Sequence, residues 1–182
     1  MNLNEIFFYI SLYDKSTYQH ICRVAQYSNL IGKELNLNQY DMNLLIYSSL
    51  LHDIGKLFLP LELLQKKEKL TKGEIILIKK HVAFGITILP DSLKEIKPII
   101  AAHHERLDGS GYPRKLKDNQ IPELSKIIAV TDSYDAMTSM RVYNKVKTSE
   151  EALEDLFSNT INYGENKYSY KYVKALSNCI KK

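Results

Sequence analysis

At 182 residues, with 45% hydrophobic and 25% charged side chains, the chain has the size and balance of one globular domain that buries its own core. A net charge of +4, with Lys and Arg spread along the chain, tolerates an anionic substrate and argues against a surface for nucleic-acid polymers. Cys22 and Cys179 have no CxxC spacing, and the apolar residues 6–12 follow Glu5 and are too short to span a bilayer. The expectation is therefore a cytoplasmic protein with reduced thiols and no membrane segment.

In chain order, residues 3–13 form a short apolar element, and residues 18–35 place Ile21, Val24, Ala25, Ser28 and Ile31 at helical spacing. Residues 41–52 repeat the pattern through Leu44, Leu45, Ser48 and Leu51. Thr71-x-x-Glu74, Ser92-x-x-Glu95 and Thr148-x-x-Glu151 each have the form of a capping box that opens a helix. Pro98 predicts a kink or restart, after which residues 99–105 carry a His-His doublet. Residues 107–121 are the one long irregular stretch, and helical patterning resumes over 125–140, 150–160 and 171–180. No repeat or convincing period-2 strand appears. The fold class is all-α, with residues 1–13 as a short helical extension and 14–182 as a single helical-bundle domain.

The chain has five histidines, His20, His52, His81, His103 and His104, and every one sits beside a second His or an Asp or on an apolar helix, a context suited to a metal. Singly, His20 or His81 on a mostly apolar helix reads as an ordinary buried residue. His52-Asp53-Ile54-Gly55-Lys56 is more specific, because ionisable groups interrupt the end of an apolar helix and burying them without partners is costly. On one helix, His52 and Asp53 would project about 100° apart, letting the carboxylate bridge two ions. The set divides into His20, His52, Asp53 and Asp132 for one metal and Asp53, His81, His103 and His104 for another. Imidazole and carboxylate without thiolate suit iron, manganese, nickel or zinc, with magnesium also open. Two such ions roughly 3.5–4 Å apart polarise a phosphoryl group and generate a hydroxide nucleophile, so the chemistry expected is phosphoester hydrolysis.

Three stretches resemble the HD-GYP family, a branch of the HD-domain phosphohydrolases. They are His52-Asp53-Ile54-Gly55-Lys56, the run from His103-His104-Glu105-Arg106 through Asp108-Gly109-Ser110-Gly111-Tyr112-Pro113, and Thr131-Asp132-Ser133-Tyr134-Asp135-Ala136-Met137 with Arg141. The resemblance runs from about residue 20 to about residue 156. It implies a helical domain with a dinuclear or trinuclear centre, often of iron or manganese, that hydrolyses cyclic di-GMP to linear pGpG and onward to GMP. It carries the five histidines, Asp53 and Asp132 over as metal ligands, with Asp53 and Lys56 as catalytic residues. Lys56 would meet a substrate phosphate, as a mobile point charge can, and Arg106, Gly111, Tyr112 and Arg141 would lie on the substrate side. Gly109 and Gly111 would let the loop approach a ligand closely. Tyr112 reads equally as a packing residue, and Arg141 reads better as a brace for Asp135.

The chain departs from the family in three places. Ser16 stands where trinuclear members have a Glu one turn before the first His, which implies two metals rather than three. Val142 replaces a proline after the arginine, and residues 162–172 lack the family's Phe-Asp-Pro element. No sensor domain is expected in the dozen residues before Asp14, so regulation would fall to a partner protein or a homodimer, and the apolar residues 3–13 could either dock or pack on the domain. Alternative readings keep the fold and change the role. They are hydrolysis of another cyclic dinucleotide such as cyclic GMP-AMP, hydrolysis of another nucleotide, or a non-catalytic cyclic di-GMP receptor.

Overall fold

The computed structural model describes residues 3–139, 146–163 and 166–180. Arg141 and Val142, expected at the substrate side and in a loosened turn, lie outside the described residues.

Helices account for every regular element among the described residues, apart from two isolated bridges, Asp108 with Lys117 and Thr160 with Tyr168. The first, α1 (Leu3–Tyr13), leads through Asp14 into the long α2 (Lys15–Glu34). Asp14 caps α2, its carboxylate accepting from the Ser16 and Thr17 backbone amides at 3.2 and 3.3 Å. The chain then folds back as α3 (Gln39–Leu51), capped by Asn38, and tightens into a 3-10 turn over Ile54–Phe58. Short helices follow: α4 (Leu61–Leu64), α5 (Lys72–Lys79), α6 (His81–Ile88) and α7 (Lys97–Ala101). After the irregular segment come α8 (Glu123–Thr138), α9 (Ser149–Ser158) and α10 (Tyr170–Ile180).

Two of the three expected capping boxes form, at Thr71–Glu74 and Thr148–Glu151. The third does not. Ser92 lies inside a single 3-10 turn, Asp91–Leu93, that has no side-chain cap, and the next helix begins at Lys97 with Pro98 in its first turn. Proline is tolerated there because the first amides of a helix have no acceptor within it. Pro98 therefore starts a helix rather than kinking one.

Two apolar clusters hold the helices. The larger joins Val24 and Ile31 of α2, Leu45 of α3, Ile127, Ile128 and Val130 of α8, Leu153 and Leu156 of α9, and Val173 and Leu176 of α10. The smaller joins Ile6 and Ile10 of α1 to Ile21, Leu51, Ile54, Leu89, Ile96 and Ile100. Thus α1 packs on the domain through Ile6 and Ile10, while Phe8, Tyr9 and Leu12 remain exposed. Three of the histidines adjoin the smaller cluster: His20 precedes Ile21, His52 and Asp53 separate Leu51 from Ile54, and His103 follows Ile100 closely.

At Gly55 the 3-10 turn meets the start of α6 so closely that an added Cβ would lie 1.9 Å from the His81 carbonyl oxygen and 2.6 Å from the Gly85 amide. Backbone cannot yield there as a flexible side chain would. Gly55→Ala is expected to cost about 1–3 kcal/mol of stability, the range for overpacking a filled core, measured as a shift in the urea midpoint. An unchanged midpoint would mean that the turn and α6 are free to separate.

Candidate metal centre

Three of the five histidines are held by the same local device. His52 closes α3, His81 follows the end of α5 and His103 follows the end of α7, so each stands where helix carbonyls lack hydrogen-bond donors. Each turns its Nδ1 back onto the carbonyl three residues earlier: His52 to Ser49 at 2.7 Å, His81 to Ile78 at 2.7 Å and His103 to Ile100 at 2.6 Å. A carbonyl oxygen only accepts, so Nδ1 carries the proton in all three rings. The Nε2 lone pair is then directed inward, the arrangement a metal-binding imidazole needs.

The inward nitrogens gather around Asp53. Its Oδ2 lies 3.5 Å from His20 Nε2 and 3.4 Å from His52 Nε2, and its Oδ1 lies 3.3 Å from His81 Nε2. His52 Nε2 is fully buried with no hydrogen-bond partner. The His81 and His103 Nε2 atoms face one another at 3.4 Å although both are acceptors. Lone pairs so placed are stable only with a proton or a cation between them. Ligand atoms of Asp53, His81, His103 and His104 lie within 4.8 Å of one another, as do those of His20, His52 and Asp53.

The structure thereby brings together all seven residues expected as ligands, with differences in detail. Asp132 is not grouped as tightly with His52 and Asp53 as the sequence suggested. It stands between the two groups, with Oδ1 3.1 Å from His20 Nε2 and Oδ2 3.8 Å from His104 Nδ1. Nor do His52 and Asp53 project from one continuous helix. The α-helix ends at Leu51, and Asp53 begins the 3-10 turn at φ −102° and ψ 7°. Ser16 is an exposed first-turn residue of α2, its amide held by Asp14.

Sequence reasoning missed how His20 is aimed. His20 and Arg23, one turn apart on α2, face Asp132 and Asp135, one turn apart on α8. His20 Nδ1 is 2.6 Å from Asp135 Oδ2, Arg23 reaches the same carboxylate through Nε at 2.5 Å and Nη2 at 3.1 Å, and Ser139 donates to it at 2.9 Å. Arg23 is therefore the described cationic brace of Asp135, the part the sequence reading assigned to Arg141. The signal was available in the matched i, i+3 pairs, but nothing local says that α2 and α8 touch.

The substrate-side residues show more mixed placement. Lys56 Nζ sits 2.5 Å from Asp53 Oδ2, at a narrow cavity shared with Tyr13, Asp14, Thr17 and Leu64. Arg106 donates to the Glu105 carbonyl at 2.8 Å and lies over the Tyr168 ring at 4.9 Å. Tyr112 stacks on His104, with centroids 4.5 Å apart at 27°. Gly109 does need its freedom, with φ +81°. Gly111 instead approaches backbone: an added Cβ would lie 2.4 Å from Glu105 Cα and 2.5 Å from the His104 carbonyl oxygen. A second residue overlooked in the sequence, Glu105, is buried and accepts from the Arg114 and Leu116 amides at 2.7 and 2.9 Å, tying this loop under the histidines.

The electrostatics follow the crowding. Burial alone would raise the Asp53 carboxyl, but Lys56, His52 and His81 outweigh it and hold Asp53 well below the ordinary value. Asp132 is held low in the same way, against burial, by His20. Asp135 falls to about 2 because hydrogen bonds from His20 and Arg23 outweigh its burial. Burial, then neighbouring imidazoles, push His103 well below its ordinary value; burial above all brings His104 to about 3 and lowers His81. His52 is raised, burial being outweighed by the Asp53 charge.

With the geometry in place, comparison defines the class. The family model for the HD domain matches residues 9–165, and the chain belongs to that family. Its Gly111-Tyr112-Pro113 loop and the motifs before and after it put it in the HD-GYP branch. It is 40% identical over 149 residues to a cyclic di-GMP phosphodiesterase of Thermotoga maritima, covering 80% of this chain and 40% of that protein. It is 35% identical over 148 residues to the 3'3'-cGAMP-specific phosphodiesterase 2 of Vibrio cholerae, covering 79% of this chain and 28% of that one. The chain thus spans less than half the length of these relatives. Among solved structures, the HD domain of phosphodiesterase PgpH of L. monocytogenes aligns with TM-score 0.66 at 18% identity, over 96% of this chain and 94% of that one. An HDG"Y"P protein of Bdellovibrio bacteriovorus aligns with TM-score 0.71 at 23% identity, over 90% of this chain and 52% of that one. At these identities the two structures establish the shared fold.

The shifts fix how the metal-free protein responds to acid. His81, His103 and His104 have depressed values, so the unfolded chain binds more protons than the folded one below about pH 6.5, the ordinary histidine value. Their contribution is complete above that pH and is lost as pH falls toward the folded values; His52, raised, opposes them alone. Stability of the metal-free protein is expected to fall from about pH 6.5 downward, read from urea midpoints at successive pH. A plateau down to pH 4.5 would contradict the neutral, buried imidazoles.

Proposed function

We propose that this domain is a metal-dependent phosphodiesterase that hydrolyses cyclic di-GMP to pGpG or GMP, using two divalent cations. The observation that carries the reading is the convergence of buried, outward-protonated imidazoles on one buried carboxylate. His52 Nε2 has no hydrogen-bond partner, and the His81 and His103 nitrogens face each other as acceptors. That donor set fits a cation and is hard to account for without one. His20, His52, Asp53 and Asp132 would hold one ion and Asp53, His81, His103 and His104 the other, with iron or manganese as the preferred metals. Bound there, two ions polarise a phosphoryl group and make an attacking water acidic at neutral pH.

The chain's own residues do the rest. Asp53 presents one oxygen to each group of imidazoles, as a bridging carboxylate must. Asp135 and Arg23 fix the tautomer and direction of His20, and the helix-end carbonyls do so for His52, His81 and His103. Lys56, which now neutralises Asp53, would be freed by cations at that carboxylate and turn its ammonium to the non-bridging phosphate oxygens. Arg106 and Arg141 would add charge at the substrate side, and Tyr112 and Gly111 would shape it. Ser16, exposed and without a carboxylate, supports two ions rather than three.

Substrate choice rests on likeness to the relatives named cyclic di-GMP phosphodiesterases. Cyclic GMP-AMP is the second reading, favoured by the likeness to the Vibrio enzyme specific for that compound. We place the domain in the cytoplasm: neither cysteine is in a disulfide, and among the described residues no helix is long and apolar enough to cross a membrane. Residues 1–13 are read as a helical extension of a single domain over 14–182.

Protein purified without oxygen and reloaded with iron(II) or manganese(II) should convert cyclic di-GMP to pGpG or GMP, resolved by chromatography. Asp53→Ala should lower turnover by at least about a thousandfold, because both ion sites lose a ligand. Metal analysis of the wild type should give close to two ions per chain. A ratio near three would refute the two-ion reading, and selective turnover of cyclic GMP-AMP would favour the second substrate.

A further inference from the structure

The aromatic face of Tyr112 is already occupied. His104 stacks on the ring with centroids 4.5 Å apart, and the ammonium of Lys79, at the end of α5, lies over the ring 4.6 Å from its centroid. A ring has two faces, and an imidazole stacked at 27° covers one of them, so the cation takes the other. Tyr112 thus links the metal centre on its inner side to an exposed lysine on its outer side.

Lys79 also lies near the end of a basic segment. Lys and Arg are dispersed along the chain at large, yet residues 65–80 hold Lys66, Lys67, Lys69, Lys72, Lys79 and Lys80 against only Glu68 and Glu74. The segment's surplus equals the +4 of the whole chain. It begins beside Leu64, at the cavity that Asp53 and Lys56 share, and ends at Tyr112. Lys66 is paired with Glu74, whereas Lys79 makes a cation–π contact, a resting place worth about 0.5–1 kcal/mol for an exposed group. An incoming phosphate offers a charge-assisted hydrogen bond that is stronger than such a contact.

We propose that Lys79 is a substrate-positioning residue: its ammonium leaves the outer face of Tyr112 to pair with a phosphate of a nucleotide diester, and the vacated face receives a base. The cation holds the ring's outer face until substrate arrives, and the basic segment draws an anion toward it. In a cyclic dinucleotide one phosphate is cleaved at the metal centre, and Lys79 takes the phosphate that is not cleaved. This rests on the reading of the domain as a cyclic dinucleotide phosphodiesterase. Lys79 acts on binding and orientation, and the bond-breaking step is left to the centre.

Steady-state kinetics of the manganese-loaded enzyme on cyclic di-GMP test it. Lys79→Ala should raise KM about tenfold, the loss expected for one charge-assisted hydrogen bond, with kcat within about twofold. Lys79→Arg should restore most of the affinity, and Lys79→Glu should be worse than Ala. Lys174→Ala, which removes one exposed charge from α10, should match wild type. An unchanged KM in Lys79→Ala overturns the proposal, as does a fall in kcat matched by a fall in urea midpoint, which would mark a structural role. The parent reading fails separately: wild type that hydrolyses bis(p-nitrophenyl) phosphate but no cyclic dinucleotide would refute the substrate class, and the role of Lys79 with it.

Discussion

A carboxylate removed from water must find positive charge or hydrogen-bond donors nearby, and Asp53 is only 2% exposed. Its two oxygens face imidazoles from α2, the end of α3 and the start of α6, while Lys56 approaches from the 3-10 turn. Satisfying that one group requires three segments distant in sequence, around His20, His52–Lys56 and His81, to meet at fixed separations. The two apolar clusters supply the force that brings the helices together, and the meeting at Asp53 sets their register. Gly55, two residues on, permits the closest approach, because any side chain there would strike the His81 carbonyl.

Helix ends serve the site in a way that helix interiors could not. Free carbonyls at the ends of α3, α5 and α7 each take an imidazole Nδ1, which satisfies the backbone and sets the tautomer at once. Three ligands thus come from three short breaks in helical structure. His20, in the middle of α2, has no such carbonyl, and a different partner does the same work: Asp135, itself held by Arg23 and Ser139. Among the short helices α4 to α7, the ends of α5 and α7 are the two that deliver a side chain to the centre, His81 and His103.

The irregular segment after His104 is built by similar economy of donors and acceptors. Glu105 turns inward and receives two loop amides, Asp108 receives the Ser110 amide at 2.8 Å, and Gly111 packs against the His104–Arg106 backbone. The loop is thereby fixed beneath the ring of Tyr112, which stacks on His104. The face of the centre that a substrate would approach is accordingly part of the domain's packed structure.

Much of this protein is legible in its amino-acid order. Apolar residues at helical spacing announce α2, α3, α8, α9 and α10, because a helix must bury one stripe. Thr71 and Thr148 mark helix starts through contacts confined to one turn, and His52-Asp53 stands out because ionisable groups interrupt an apolar run, while the other ligand candidates are legible only as a set with it. What local order could not supply is anything that depends on which helices touch. Ser92–Glu95 has the same form as the two true capping boxes, yet the chain turns there into a 3-10 segment. The bracing of Asp135 by Arg23 exists only because α2 crosses α8, and the position of Asp132 between the two ligand groups depends on the same crossing. The exclusion of a side chain at Gly55 arises from α6 lying against the turn. Short-range hydrogen bonds and hydrophobic periodicity are properties of neighbours in sequence; ligand geometry is a property of neighbours in space, and the packing of the two clusters decides it.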